Sequence, residues 1–591
     1  MSDFISRRAF ARLRGTATLA LAATLLPAAW AAAPIVTFTD VPSGPVKGGE
    51  GNQGAYLSIF GRNFGDPSGL GTTTTVTIGG APVANYRYLG ASRVAGRIGL
   101  QQITVQVGKL GGKTGRQPVR VIVGGVKSNA DVGFTPNPGR VLFVSLDGND
   151  GTAAANDIAH PWRTLQTGTS GGAYAAMHAG DQIVVRGGTW RDTAGIDGAW
   201  LRFGNDPTKK GSEPTGKTGS GWIHITGYPG PINGNAPEDV HYVTPNVKNT
   251  RGGIVGPWSD IRGVSGEYVA ISNLHLEASA LAESDAAPIN IQYSAGPWRI
   301  VNNDIGPWQS TLAAPGNAKA GGISGEGNGI EILGNRIHDI ACALGHANPL
   351  ENHGIYIDDD GAYEIAYNDI ENITGGNGFQ IFTNGGFSET TNNVAFHHNI
   401  VDGVGKHGIN LADGTGRNVV VYDNVVAHTQ LGALRFNTTD LQGAKVYNNT
   451  FYAASLLPGI DPQRSGVILN DWNFSAGAVD FYDNVIVPSP GTWYLSGSVG
   501  FDGHEGTWAN DLWFGGANPI PGFAQAPVAG DPKFVAPGTD FHLRSGSAAI
   551  DAGSAAVAPL VTTDLDQLAR PRGLGYDIGA YEFSGKQAAG R

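Results

Sequence analysis

The sequence predicts an all-β protein, a long solenoid preceded by a small β-sandwich. Three observations point there. Gly makes up 90 of 591 residues and only 15% are charged, while Val, Ile, Thr and Asn gather in short runs, as strands joined by tight turns require. An Asn returns every 25 to 35 residues inside apolar runs from Asn273 to Asn484, the period of a structure that repeats coil by coil. The region before Pro138 instead holds alternating runs at sandwich spacing. With 41% hydrophobic residues a sizeable core is possible and wholesale disorder is excluded; Gly keeps no third-position period, which excludes collagen.

The first element is a processing signal over residues 1–33. Ser6-Arg7-Arg8-Ala9-Phe10 precedes a largely apolar run from Ala17 to Leu26, and the small residues Ala28, Ala29 and Ala31 suit signal-peptidase cleavage. The Arg pair before Phe10 resembles a twin-arginine leader, which implies export of an already folded chain; an ordinary secretory signal with an incidental Arg pair is the alternative. No other apolar stretch is long enough to span a bilayer, so a periplasmic or extracellular protein without a transmembrane segment is expected. Without the leader, 35 basic side chains face 49 acidic ones, a net charge of −14. That acidity argues against nucleic acid or anionic membrane as a partner. The single Cys342 excludes an internal disulfide and reads as a small buried hydrophobe.

Residues 34–138 read as the sandwich. Tyr56-Leu57-Ser58-Ile59-Phe60, Thr75-Val76-Thr77-Ile78, Ile103-Thr104-Val105-Gln106-Val107 and Val119-Arg120-Val121-Ile122-Val123 alternate polar and apolar between Gly-rich turns. Gly61-Arg62-Asn63-Phe64-Gly65 followed by Val76-Thr77-Ile78-Gly79-Gly80 resembles the IPT/TIG family of immunoglobulin-like modules. The resemblance implies a spacer or binding domain, and no catalytic constellation is visible in it.

A different pattern begins at Val141. Val144-Ser145-Leu146-Asp147-Gly148-Asn149-Asp150, then Pro161-Trp162-Arg163-Thr164-Leu165-Gln166, then Gly180-Asp181-Gln182-Ile183-Val184-Val185 resemble the entry segment of right-handed parallel β-helix proteins of the pectate-lyase type. The resemblance implies such a helix over residues 141–530, with a short α-helix at the Leu-Gln pair, and calcium with a basic residue as the usual catalytic equipment. The repeat itself is direct. Asn273, Asn303, Asn335, Asn368, Asn399, Asn424, Asn449 and Asn484 each sit in an apolar run such as Ile330-Glu331-Ile332-Leu333-Gly334-Asn335-Arg336-Ile337. An Asn at the same bend of each coil forms a ladder of amides that satisfies buried turn groups, so these residues are structural.

A second strand follows in each coil, as in Gly354-Ile355-Tyr356-Ile357-Asp358, Gly378-Phe379-Gln380-Ile381-Phe382, Gly408-Ile409-Asn410-Leu411 and Ala433-Leu434-Arg435-Phe436. Alternation turns Ile, Leu and Phe inward and stacks Tyr356, Gln380, Asn410 and Arg435 as an outward column about 14 Å long, at about 4.8 Å per coil. Residues 531–583, from Asp540-Phe541-His542-Leu543 through Arg570-Pro571-Arg572 to Tyr581-Glu582-Phe583, resemble the choice-of-anchor Q region that follows bacterial β-helices. They are expected to cap the last coil and block edge pairing, with a loose tail over 584–591.

An outward sheet of this kind suits an extended polysaccharide, whose units can lie across several coils. Asp358, Asp359 and Asp360 before Gly361 offer oxygen ligands for Ca²⁺; a solvated acidic turn is the alternative. His353 and His407 both precede Gly at the start of the second strand, either as corner caps or as groups that hold substrate or move protons. The mixture suits β-elimination on a uronic-acid polymer, which needs the sugar carboxylate neutralised, a base and a proton donor. Arg435 is the candidate carboxylate binder, His407 or Lys406 the base and Tyr356 the donor, with His353, Gln380 and Asn410 holding substrate. Two alternatives stand beside it. Glu326 and Asp358 on adjacent coils, with Asp413 nearby, could serve glycoside hydrolysis. A non-catalytic carbohydrate binder would use exposed rings among Trp190, Trp200, Trp258, Trp298 and Trp308.

Overall fold

A computed structural model describes residues 32–585, apart from 93, 95, 169–170, 194–198, 204–215, 217–220, 233, 235, 245–252, 257–266, 282–284, 295, 311–318, 343–351, 359–360, 383–389, 413–414, 439–440, 455–465 and 472–475. No helix among the described residues is long and apolar enough to cross a membrane. Ile35–Thr39, Tyr56–Arg62, Gln101–Gln106 and Asn85–Ala91 pair antiparallel in one sheet. A second sheet holds Ser43–Pro45, Gly133–Asn137, Gln117–Val123, Thr74–Ile78 and Ala81–Pro82. Alternation sends Leu57, Ile59, Ile103 and Val105 of the first and Val76, Ile78, Val119 and Val121 of the second into one core, so the N-terminal part is a β-sandwich.

The solenoid starts at Val141–Val144. Its coils carry three strands rather than two, because the ladder Asn breaks the apolar run into separate strands. One coil runs Ile330–Leu333 in sheet A, Arg336–Cys342 in sheet B and Ile355–Asp358 in sheet C. All three sheets are parallel, with twelve described strands in A, twelve in B and ten in C. Inward residues repeat in register. Ile271, Ile300, Ile332 and Ile365 stack in sheet A, Ile305, Ile337 and Ile370 in B, and Ile289, Ile323 and Ile355 in C. All are buried in one continuous core, where β-branched side chains fit the pleat.

The ladder occupies the corner between sheets A and B. Asn368 is typical: its Oδ1 accepts from the Asn335 backbone N–H and Nδ2, both at 3.0 Å, while its own Nδ2 donates to the Ile332 carbonyl at 2.9 Å and to Asn399 Oδ1 at 3.0 Å. The pattern runs unbroken from Asn303 to Asn484 and ends on Asp511, whose Oδ1 accepts from Asn484. Asn273 is not a member. Leu274 holds that register position, donating its N–H to Asn303 Oδ1 at 3.2 Å. Asn273 stands one place earlier, in a column that turns the chain with positive φ: Asn273, Asn302, Gly334, Tyr367, His398, Asp423, Asn448, Asp483 and Asn510. At Gly334 (φ 65°) an added Cβ would come within 3.0 Å of the Phe38 ring, so this position needs Gly for both reasons.

That column anchors two flanking parts. The sandwich covers its early members: Asp40 lies 3.3 Å from Asn273 Nδ2, Asn302 donates to Gln102, and Phe38 packs on Tyr367. Residues 531–583 cover the later ones. Arg570, fully buried, pairs with Asp423 at 2.9 Å and Glu582 at 3.0 Å, Asn448 donates to the Asp577 carbonyl, and Ser554 N–H meets Asp483. This segment therefore lies along the flank instead of closing the last coil as expected, and it reaches the sandwich through Arg62–Asp566 (3.0 Å) and Thr37–Gln567 (2.7 Å). The last coil is closed by Phe501, Ile520 and Phe523, two of whose rings meet Trp508 edge-on. At the other end the α-helix is Ala173–Ala176, beyond the Leu-Gln pair. Gln166 itself pairs in both directions with the Arg202 backbone, as a strand edge would.

Candidate functional site

None of the described hydrogen bonds or ion pairs of the two flanking parts reaches sheet C. Its outward residues stack in the expected order. Tyr356, Gln380, Asn410 and Arg435 are successive register partners, and the column extends upstream through Ser324 to Asn290.

The side chains form a bonded set. Gln380 Oε1 accepts from Asn377 Nδ2 at 2.6 Å and from Asn410 Nδ2 at 2.9 Å. Asn410 is buried, and its Oδ1 has no hydrogen-bond partner among the described residues. Tyr356, half-buried, stacks on His353 (centroids 5.5 Å, planes 14° apart) and on Phe382 (6.4 Å, 27°). Arg435 Nε donates to Asp471 Oδ2 at 2.6 Å. Burial raises the Asp471 carboxyl, but the Ser498 backbone N–H and the Arg435 charge outweigh it and leave the pKa below the ordinary carboxylate value. Arg435 is thus half of an ion pair, not the free carboxylate binder expected, and an anionic ligand must compete with Asp471.

His407 departs furthest from expectation. It is buried, and burial first, then the positive charges of Arg435 and Lys406, push its pKa down to about 3. A base so weak is poorly matched to proton abstraction near neutral pH. The corner reading fits better: Asn377 N–H donates to His353 Nδ1 at 3.2 Å and His407 N–H to Asn377 Oδ1 at 3.0 Å, a second short ladder before sheet C. His407 Nδ1 is buried without a partner among the described residues. Lys406, beside it, is only partly buried.

Of the metal candidates, Asp359 and Asp360 lie outside the described residues. Asp358 ends its strand as register partner of Glu326 on the coil before and Phe382 on the coil after, with its side chain also outside the description. Asp413 and Trp258 fall outside as well. Trp190, Trp200, Trp298 and Trp308 are core residues, so they are not the exposed sugar platforms considered from sequence. Asp471 and Phe382 went unrecognised. The signal for Asp471 was faint: it follows the sheet-C strand Gly466–Asn470, one coil beyond Arg435.

The family described as "Right handed beta helix region" matches residues 270–499. With the stacked parallel sheets, this defines the class: the chain folds as a right-handed parallel β-helix with an N-terminal antiparallel sandwich. Among solved structures it is similar to pectate lyase Pel9A, at 13% identity and a TM-score of 0.37 over 75% of this chain and 96% of that one. A family 28 exopolygalacturonase from Yersinia enterocolitica matches at 10% identity and 0.33, over 84% and 94%. A GH136 lacto-N-biosidase from Eubacterium ramulus matches at 14% and 0.32, over 66% and 67%. No curated protein matches the chain.

Proposed function

We propose that this is an exported protein that binds and cleaves an extended, uronate-containing polysaccharide by β-elimination on sheet C. The observation that carries the reading is the in-register outward column of aromatic, amide and guanidinium groups across four coils, on the sheet to which the flanking parts make no described bond. In this reading Tyr356 and Phe382 supply faces for sugar rings and Gln380 and Asn410 hydrogen-bond hydroxyls. Arg435, exchanging Asp471 for a substrate carboxylate, stabilises the charge that develops there. Lys406 takes over from His407 as the base. It removes the proton beside the carboxylate, that electron pair forms the ring double bond, and the glycosidic oxygen departs with a proton from Tyr356. Asp358, Asp359 and Asp360 would supply the oxygen ligands that Ca²⁺ takes, and the ion would neutralise a substrate carboxylate. The adjacent register of Glu326 and Asp358 also supports a second reading, retaining hydrolysis, which uses closely spaced carboxylates.

The test is incubation of the mature protein with pectate, alginate and related polymers, with and without Ca²⁺. Ultraviolet absorbance from unsaturated ends is the expected result, and Lys406→Ala and Tyr356→Phe should each slow its appearance at least about 100-fold. Reducing ends without that absorbance would favour hydrolysis. Full activity in both variants would overturn the assignment of roles.

A further inference from the structure

We propose that Asp239, His241 and His275 bind one divalent transition-metal ion of the Zn²⁺ type. The site lies away from sheet C, at the start of sheet B. His241 and His275 are register partners on successive coils, and their rings stack with centroids 4.0 Å apart and planes 4° apart. Asp239 immediately precedes Val240–Val243, the strand that carries His241. One ligand atom from each of the three lies within 4.8 Å of the other two.

The hydrogen bonds around the rings give the cluster its direction. His241 Nε2 lies 2.7 Å from Glu277 Oε2, and His275 Nε2 lies 3.2 Å from the Gly306 carbonyl. Both partners only accept, so in the neutral rings each Nε2 carries the proton and each Nδ1 keeps a lone pair. A carboxylate or carbonyl holding the far N–H is how proteins fix the tautomer and orientation of metal-bound histidines. Two imidazole nitrogens and one carboxylate suit Zn²⁺ or Co²⁺ rather than Ca²⁺ or Mg²⁺, which favour all-oxygen sets. Asp239 and His275 also line a cavity of about 90 Å³ between the sandwich and the solenoid, so a remaining coordination position has room for water or a small ligand. Asp304, on the same wall, is engaged by His338 at 3.0 Å and is left outside the donor set.

The full mature chain, stripped with chelator, is titrated with Zn²⁺ by calorimetry and with Co²⁺ by visible absorbance. One equivalent is expected, with His241→Ala, His275→Ala and Asp239→Asn each weakening Zn²⁺ at least tenfold and Glu277→Gln about tenfold. Asp239 is exposed, so its variant tests the site even if a histidine variant fails to fold. His504→Ala, in a second carboxylate–imidazole cluster at Asp502, His504 and Glu505, should leave the stoichiometry unchanged. Absence of stoichiometric Zn²⁺ binding, unchanged affinity in Asp239→Asn, loss of the equivalent in His504→Ala, or displacement by equimolar Ca²⁺ would each overturn the assignment.

Discussion

Replacing Asn368 by Ala tests the solenoid's corner most directly. The wild-type amide makes four buried hydrogen bonds; of its partners, Asn335 Nδ2 also donates to the Ile300 carbonyl and Asn399 Oδ1 also accepts from the Asn368 N–H. Its removal orphans the Asn335 backbone N–H, one Asn335 amide proton and the Ile332 carbonyl. A buried group left without a partner costs about 1–3 kcal/mol, so three cost roughly 3–6 kcal/mol after partial relaxation. The chain is long and multi-part, so a single global unfolding free energy is a poor readout. Native-state hydrogen exchange at the Asn335 and Asn368 amides reads the local cost instead. At about 1.4 kcal/mol per tenfold, exchange there should accelerate roughly 10²–10⁴-fold. The exposed Gln442→Ala serves as control and should leave protection unchanged. If Asn368→Ala alters exchange less than threefold, water replaces the ladder without penalty and the corner is not held by its amides.

Two further outcomes follow from the same chemistry. Asp511 ends the ladder with a buried Oδ2 that has no hydrogen-bond partner among the described residues, and burial holds its pKa well above the ordinary value. Asp511→Asn keeps the Oδ1 acceptor that Asn484 uses and removes the buried carboxyl, so it should raise the melting temperature; a lower melting temperature would show that the carboxyl itself is needed at the end of the ladder. Burial also raises Asp40 and Asp483 to about 7 from an ordinary 3.8. The folded state then holds more protons than the unfolded one between these values, so their stabilising contribution is full below about pH 4 and is lost as pH rises towards 7. The melting temperature should fall from pH 5 to pH 8, and Asp40→Asn with Asp483→Asn should flatten that slope; an unchanged slope would assign it elsewhere.

The ladder and the sheet-C column were legible in sequence because both rest on period alone. Asn is the short side chain that accepts from one coil while donating to the next, and it therefore recurs. The one-place error at Asn273 arose because the left-handed residue before each ladder position is also often Asn, Asp or Gly, and spacing cannot separate neighbours. Asp511 escaped for the complementary reason: at the end of the stack no further acceptor needs a donor, so the residue type changes. Roles that depend on burial were not visible. His407 and Lys406 are adjacent in sequence, yet one is buried and the other partly open. Arg435 meets Asp471 only because the coil between them has a particular length. The histidines of the proposed metal site sit 34 residues apart without a local motif, and only their register reveals them.

The Arg62–Asp566 and Thr37–Gln567 contacts tie the C-terminal segment to the sandwich across the outside of the stack. An open solenoid can gain or lose a repeat and merely become longer or shorter. Here a duplication between the coils of Tyr367 and Asp483 would push the two anchor points apart by one strand spacing, about 4.8 Å, and part both contacts. The molecule is in that sense a buckled belt with a single hole: its number of turns is measured by its own ends, and change through insertion is left to the loops between strands.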